Sequence, residues 1–252
     1  MERNFAYTYR YPSKDLSPFV ESFWMLENDS DNSPEVIVLP DGRMDLFFSR
    51  SAAEPFHVTW MGIGTLPDKT IVQPRSVMFA ISCKLPAAEY IFRNSIRINE
   101  ARPMPADFWG FNDRDLADFA AFCEKASASM RLLLPAQADN RKLELFELIY
   151  ASNGSLTVKE LSEKVYWSSR QINRYFTQQF GISLKAYCSI LRFRASFSHI
   201  SEGKLFPQEN FADQSHFIKE VKKLSGVVPG DLSKNKDGRF IQFSTLPQNP
   251  GT

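Results

Sequence analysis

Two N-terminal helix caps stand a short distance apart in LTVKELSEKVYWSSRQINRYFTQQFG, and together they leave this stretch few ways to fold. Thr157 with Glu160, and Ser168 with Gln171, each make a capping box. In such a box the hydroxyl satisfies a free amide of the first turn, while the side chain three residues on reaches back to the cap's own amide. The first box opens VKELSEKV and the second opens SRQINRYFTQQF, with only the residues around Tyr166 and Trp167 between them. Two short capped helices joined by so tight a turn predict a helix-turn-helix. Upstream, DNRKLELFELIYASNG reads as a further helix, opened by Asp139 or Asn140, closed near Gly154, and apolar at Leu143, Phe146, Leu148 and Ile149.

In the second capped helix Ile172, Phe176 and Phe180 recur every fourth residue and so share the face that must be buried. Arg170, Asn173, Arg174 and Gln178 are left on the other side, which carries no acid between Arg170 and Gln179. These residue types read base edges: a guanidinium offers guanine a fork of two donors, and an amide both donates to and accepts from adenine in the major groove. An ordinary solvated face is the competing reading. The capped helix in front and the short turn favour the groove. Further on, FADQSHFIKEVKKLSGVVPGDL predicts a helix capped by Asp213, held to a core by Phe217 and Val221, and ended by Gly226 and Pro229.

The net charge of +1 hides an asymmetry. Residues 1–140 carry 14 Lys and Arg against 19 Asp and Glu, a net of −5, whereas residues 141–252 carry 16 against 10, a net of +6. A mildly basic half joined to a mildly acidic one fits a nucleic-acid-binding module tethered to a separate domain. The apolar runs are too short to span a bilayer, and MERNFAYTYRYPSKD lacks the apolar core of a secretory signal, so no membrane association and a cytoplasmic location are expected. Cys83, Cys123 and Cys188 are odd in number and widely spaced, which argues against a disulfide framework or a CxxC metal site and for buried thiols.

The first hundred residues read differently. PEVIVLP, MDLFFS, HVTWMGIG and SVMFAISCKL are short apolar strands between turn formers, with Pro40-Asp41-Gly42 the clearest turn. From Asp113 the period becomes helical, and LADFAAFCEKASASMRLLL places Leu116, Phe119, Ala120, Cys123 and Ala126 on one face. The expectation is an α+β chain of two domains: a β-rich half with a closing helix over residues 1–134, a linker over 135–140, an all-α half over 141–240, and a tail over 241–252.

The helical half resembles the AraC/XylS-type transcriptional regulators. The resemblance is carried by SLTVKELSEKVYWSSRQINRYFTQQFGISLKAYCSILRFRAS followed by FADQSHFIKEVKKLSGVVPGDL. It implies two helix-turn-helix units joined by a long helix, here about residues 184–201, each unit placing a recognition helix in one of two successive major grooves. By position it implies base-reading roles for Arg170, Asn173 and Arg174 in the first unit and for Gln214, Ser215 and Lys219 in the second. Ser169, Gln171, His216, Lys222 and Lys223 are then candidates for phosphate contacts, which set register and salt dependence. The chain departs from the family before the second unit, where GKLFPQENF puts Pro207 and Asn210 in place of a full helix and the usual Gly. A short or irregular supporting helix is expected, with Asn210 able to take the left-handed conformation.

The first half more loosely resembles the sensor-like domain of a subset of such regulators, through SPFVESFWML, LPDGRMDLFF and SVMFAISCKLPAAEYIF. That resemblance implies a β-rich, cupin-like half-barrel that binds a small effector or dimerises; Trp24, Phe48 and Trp60 are effector candidates, although most aromatics there should be core. His57, His199 and His216 lie far apart, so no metal, no cofactor and no enzymatic activity are expected. Asp41 and Asp45 read as a turn former and a solvated strand residue. The reading is therefore a sequence-specific, effector-responsive regulator of double-stranded DNA, with a homodimer and, for an activator, RNA polymerase as further partners. The alternative is a thiol-reactive or small-molecule-processing first half, with Cys83 beside Lys84 as its nucleophile, targeted to DNA by the same helical module.

Overall fold

The computed structural model describes residues 5–208 and 211–245. The first half contains strands β1 (Ala6–Arg10), β2 (Val20–Asn28), β3 (Glu35–Val38), β4 (Met44–Arg50), β5 (His57–Met61), β6 (Asp68–Ile71) and β7 (Ser76–Cys83), then helix α1 (Pro86–Tyr90) and β8 (Ala101–Met104). Six strands form one antiparallel sheet in the order β1-β2-β7-β4-β5-β8, and β3 pairs with β6 separately. Alternation along MDLFFSR gives the large sheet its two faces: Met44, Leu46 and Phe48 are buried, while Asp45 and Phe47 point to a half-covered side. Register carries the buried face across the strands, with Trp60 opposite Leu46, Leu46 opposite Ile81, and Ile81 opposite Phe23.

Helix α2 (Phe119–Leu133) closes that face, and the Phe122 ring lies 5.2 Å from both Phe48 and Phe79. It starts later than the periodicity suggests. The Asp118 carboxylate accepts from the amides of Ala120 and Ala121 at 2.8 and 3.1 Å, so Leu116 belongs to a preceding 3-10 turn and the buried stripe is Phe122, Cys123, Ala126 and Met130, without Ala120. A strong N-cap interrupts what looked like one continuous period.

Helices α3 (Asn140–Ala151), α4 (Val158–Val165), α5 (Ser169–Phe180), α6 (Leu184–Ala195), α7 (Phe197–Ser201), α8 (Gln214–Ser225), α9 (Pro229–Lys234) and α10 (Ile241–Thr245) follow. Their core is aromatic. Phe176 of α5 packs 5.6 Å from Phe146 of α3 and 5.9 Å from Tyr187 of α6. The long helix expected over 184–201 is broken at Ser196, whose buried hydroxyl donates to the Arg192 carbonyl at 2.9 Å and whose amide is shared between two carbonyls. Such back-bonding to the preceding turn bends a helix. Residues 241–245 of the expected tail fold back onto the first half: Gln242 exchanges hydrogen bonds with the Leu39 backbone at 3.0 and 2.9 Å. Residues 246–252 lie outside the described residues. Among the described residues no helix is long and apolar enough to cross a membrane.

The two halves are joined by half-buried and buried polar contacts between residues far apart in sequence. Glu21 of β2 accepts from Arg43 at 2.9 Å and from Arg194 of α6 at 2.5 Å. Tyr187 reaches the Gly42 carbonyl and the Tyr150 hydroxyl, each at 3.0 Å, and Tyr150 accepts from the Leu85 amide. Gly42 is itself constrained, because its φ is +80° and a Cβ there would stand 3.0 Å from Leu191. The Pro40-Asp41-Gly42 turn is thus a seat for α6 as well as a reversal. On the other side, Glu89 of α1 accepts from the Tyr175 hydroxyl of α5 at 2.6 Å and pairs with Lys142 of α3.

Candidate nucleic-acid interface

Both capping boxes form. Thr157 accepts from the Glu160 amide while Glu160 accepts from the Thr157 amide at 2.7 Å, and Ser168 and Gln171 repeat the arrangement. Between them Tyr166 takes the left-handed conformation (φ 52°), which turns the chain from α4 into α5 within three residues. Ile172, Phe176 and Phe180 are buried, and Arg170, Asn173, Arg174 and Gln178 project from the opposite side. Among the described residues neither arginine forms an ion pair. The Asn173 amide nitrogen donates to the Ser169 carbonyl at 3.0 Å. Gln171 differs: its Oε1 is consumed by the Ser168 amide and hydroxyl, so only its NH2 remains for a phosphate. Ser169 is half-buried.

The second unit is built with less support. Asp213 caps α8 by accepting from the His216 amide at 2.7 Å, Phe217, Val221 and Leu224 are buried, and Gly226 closes the helix in the left-handed conformation. Ahead of it, residues 202–208 contain no helix, so the five-residue α7 is the nearest helix before α8 among the described residues. Asn210 lies outside the described residues. The Gln214 side chain donates to the Leu205 carbonyl at 2.7 Å and thereby ties α8 to this irregular segment. His216 is half-buried, its Nδ1 accepting from the Ala212 amide at 3.2 Å. Ser215, Lys219, Lys222 and Lys223 are exposed, the lysines without an ion pair among the described residues.

The effector candidates do not form one site. Phe48 is locked in the core with Phe111 and Phe122, and Trp60 stacks on Phe92 with ring centroids 4.4 Å apart. Trp24 lies on the other face of the sheet, where its ring meets Phe47 and its Nε1 donates to the Ser82 hydroxyl at 3.1 Å. Cys83 is 1% exposed, and burial pushes its thiol well up, away from thiolate. His57 is occupied by Ser49 and the Pro55 carbonyl, and among the described residues no cluster could hold a metal.

Asp45 is not a solvated strand residue. It accepts from the Ser82 hydroxyl, and burial, reinforced by the charge of Asp41, pushes its carboxyl up to about 7 against the pull of Ser82 and Arg43. Because the folded carboxyl keeps its proton to higher pH than the unfolded one, the linked stability is complete below the ordinary carboxylate pKa of about 3.9 and drains away as pH rises through about 7. Asp45→Asn should therefore flatten the fall in urea midpoint between about pH 4 and about pH 7. Parallel pH profiles for the two proteins would contradict this.

Residues 9–100 match the model of a domain of unknown function, DUF6597. An uncharacterized HTH-type transcriptional regulator of Bacillus subtilis (strain 168), YtdP, is 23% identical over 107 residues, which is 40% of this chain and 14% of that relative's length. Crystal structures of ToxT from Vibrio cholerae cover similar ground: one of strain O395 aligns over 93% of this chain and 99% of its own at 10% identity and a TM-score of 0.48. Another, of wild-type ToxT bound to an unsaturated fatty acid, covers 95% and 99% at 10% identity and a TM-score of 0.41. The chain thus joins a β-rich half, in which residues 9–100 match DUF6597, to a helical half that carries a capped helix-turn-helix.

Proposed function

We propose that this protein is a sequence-specific DNA-binding transcription regulator whose helical half reads two successive major grooves through α5 and α8. The observation that carries the proposal is the exposed, acid-free face of α5, where Arg170, Asn173 and Arg174 stand on a helix fixed by a capping box and three buried apolar side chains. Similarity to an HTH-type transcriptional regulator supports the same reading. Gln214, Ser215 and Lys219 are the base-reading residues of α8. Ser169, Gln171, His216, Lys222 and Lys223 contact phosphates, Gln171 through its NH2 alone.

The β-rich half, with residues 135–140 as its link, senses a small effector or makes a homodimer, and an activator would also meet RNA polymerase. Glu89 is the route by which its state reaches the reading head, since this one carboxylate holds both Tyr175 of α5 and Lys142 of α3. Sequence reasoning had no signal for that role.

Titrating labelled duplex DNA across a salt series tests the interface. Replacing both Lys222 and Lys223 by Ala should lower the slope of log affinity against log salt by about one per lysine and weaken all sequences alike. A loss confined to one sequence would mean that these lysines do not serve phosphates.

A further inference from the structure

We infer that the first half dimerises through the open edge of β1, which pairs antiparallel with β1 of a second copy of this chain. The surface rests on the homodimer proposed for the first half. Among the described residues β1 is the end strand of the large sheet, and its backbone makes no hydrogen bond beyond those to β2. An end strand presents a row of free amides and carbonyls that templates another strand, and proteins blunt such an edge with proline, lysine or a bulge. At the opposite end of the sheet β8 carries Pro103, which has no amide to donate. In β1 no such device is present: AYTYR holds neither Pro nor Lys, and its five residues pair with β2 in unbroken register.

The strand is also complementary to itself. A two-fold axis perpendicular to the sheet keeps every side chain on its own face, so the axis must pass through a residue, and centring it on Thr8 pairs all five. Thr8 then lies opposite its own copy, and Tyr7 lies opposite Tyr9 of the second chain. Thr–Thr and aromatic pairs are the kind that stabilise an antiparallel ladder. Tyr7 and Tyr9 already share one face, with ring centroids 6.4 Å apart, and the two copies extend this row into one strip.

Charge selects the same register. Ala6 lies opposite Glu27 of β2, and in the dimer Arg10 of the second copy lies opposite Ala6, so Glu27, Ala6 and Arg10 stand in one row on one face. With strands about 4.8 Å apart, the carboxylate and the guanidinium can meet over a single methyl group. Arg10 is exposed, Glu27 is half-buried, and neither has an ion pair among the described residues. The two-fold axis makes this pair twice.

Sedimentation velocity of the full chain at up to about 100 μM tests it, a range that reaches the weak association expected of so short an edge. The chain should show a reversible monomer–dimer equilibrium. Arg10→Glu and Glu27→Arg should each weaken it at least about tenfold, and the two changes combined should restore it to within about threefold. Under mild oxidation Thr8→Cys should give a disulfide-linked dimer and Tyr9→Cys should not, because only residue 8 meets its own copy. Cys83, Cys123 and Cys188 are buried and do not interfere. Three results would overturn the β1 surface while leaving a homodimer standing: a dimer that neither charge reversal weakens, a double variant no tighter than either single one, or Tyr9→Cys cross-linking as readily as Thr8→Cys. A chain that stays monomeric throughout the range would overturn surface and homodimer together, with no bearing on DNA recognition by α5.

Discussion

Replacing Phe176 by Ala should destabilise the helical half by about 3–5 kcal/mol, the cost of emptying a fully buried aromatic site that cannot collapse. Phe176 is 0% exposed and its ring meets Phe146, Phe180 and Tyr187 at 5.4 to 5.9 Å, so α3, α5 and α6 converge on it. Tyr187 also carries the contact to Gly42, so the cavity would loosen the seat of α6 on the first half. Urea unfolding followed by far-ultraviolet circular dichroism should show the lower midpoint, and specific DNA binding should fall although no DNA-facing group has changed. A loss below about 1 kcal/mol would mean that the aromatic cluster is not the core of the unit.

Arg170→Ala and Arg174→Ala make the opposite pair. Each should remove about 1–3 kcal/mol of specific binding and relax preference at one base position. Neither should alter stability, since both side chains are exposed and unpaired among the described residues. Lower stability with unchanged sequence preference would assign these arginines to structure and remove α5 from the groove. Taken together, the Phe176 and arginine variants separate holding the helix from reading with it.

The first helix-turn-helix was legible because its signals are local. Both capping boxes span four residues, and the apolar period of α5 is strict, so Thr157, Ser168 and the buried face of α5 stand where the pattern puts them. Asp213, Phe217, Val221 and Gly226 of α8 were legible for the same reason. The start of α2 was not, because Asp118 breaks a period that continues through it, and Ser196 likewise divides α6 from α7 by a bond the apolar pattern does not encode.

Long-range features left no trace in the sequence. Glu21 meets Arg194, and Glu89 meets Tyr175, only because the fold brings β2 to α6 and α1 to α5. Trp24, Phe48 and Trp60 look equivalent until strand register is known; then Trp24 falls on the opposite face of the sheet from the other two. Asp45 was misread for the same reason, since Ser82, whose hydroxyl it accepts from, is 37 residues away in the sequence and meets it only in the fold.

Selection of purified protein against a random duplex library tests the central claim most directly. The account predicts an enriched motif of two blocks about one helical turn apart, with one block degraded by Arg170→Ala and the other by Gln214→Ala. A library that emerges without any enriched motif would contradict it.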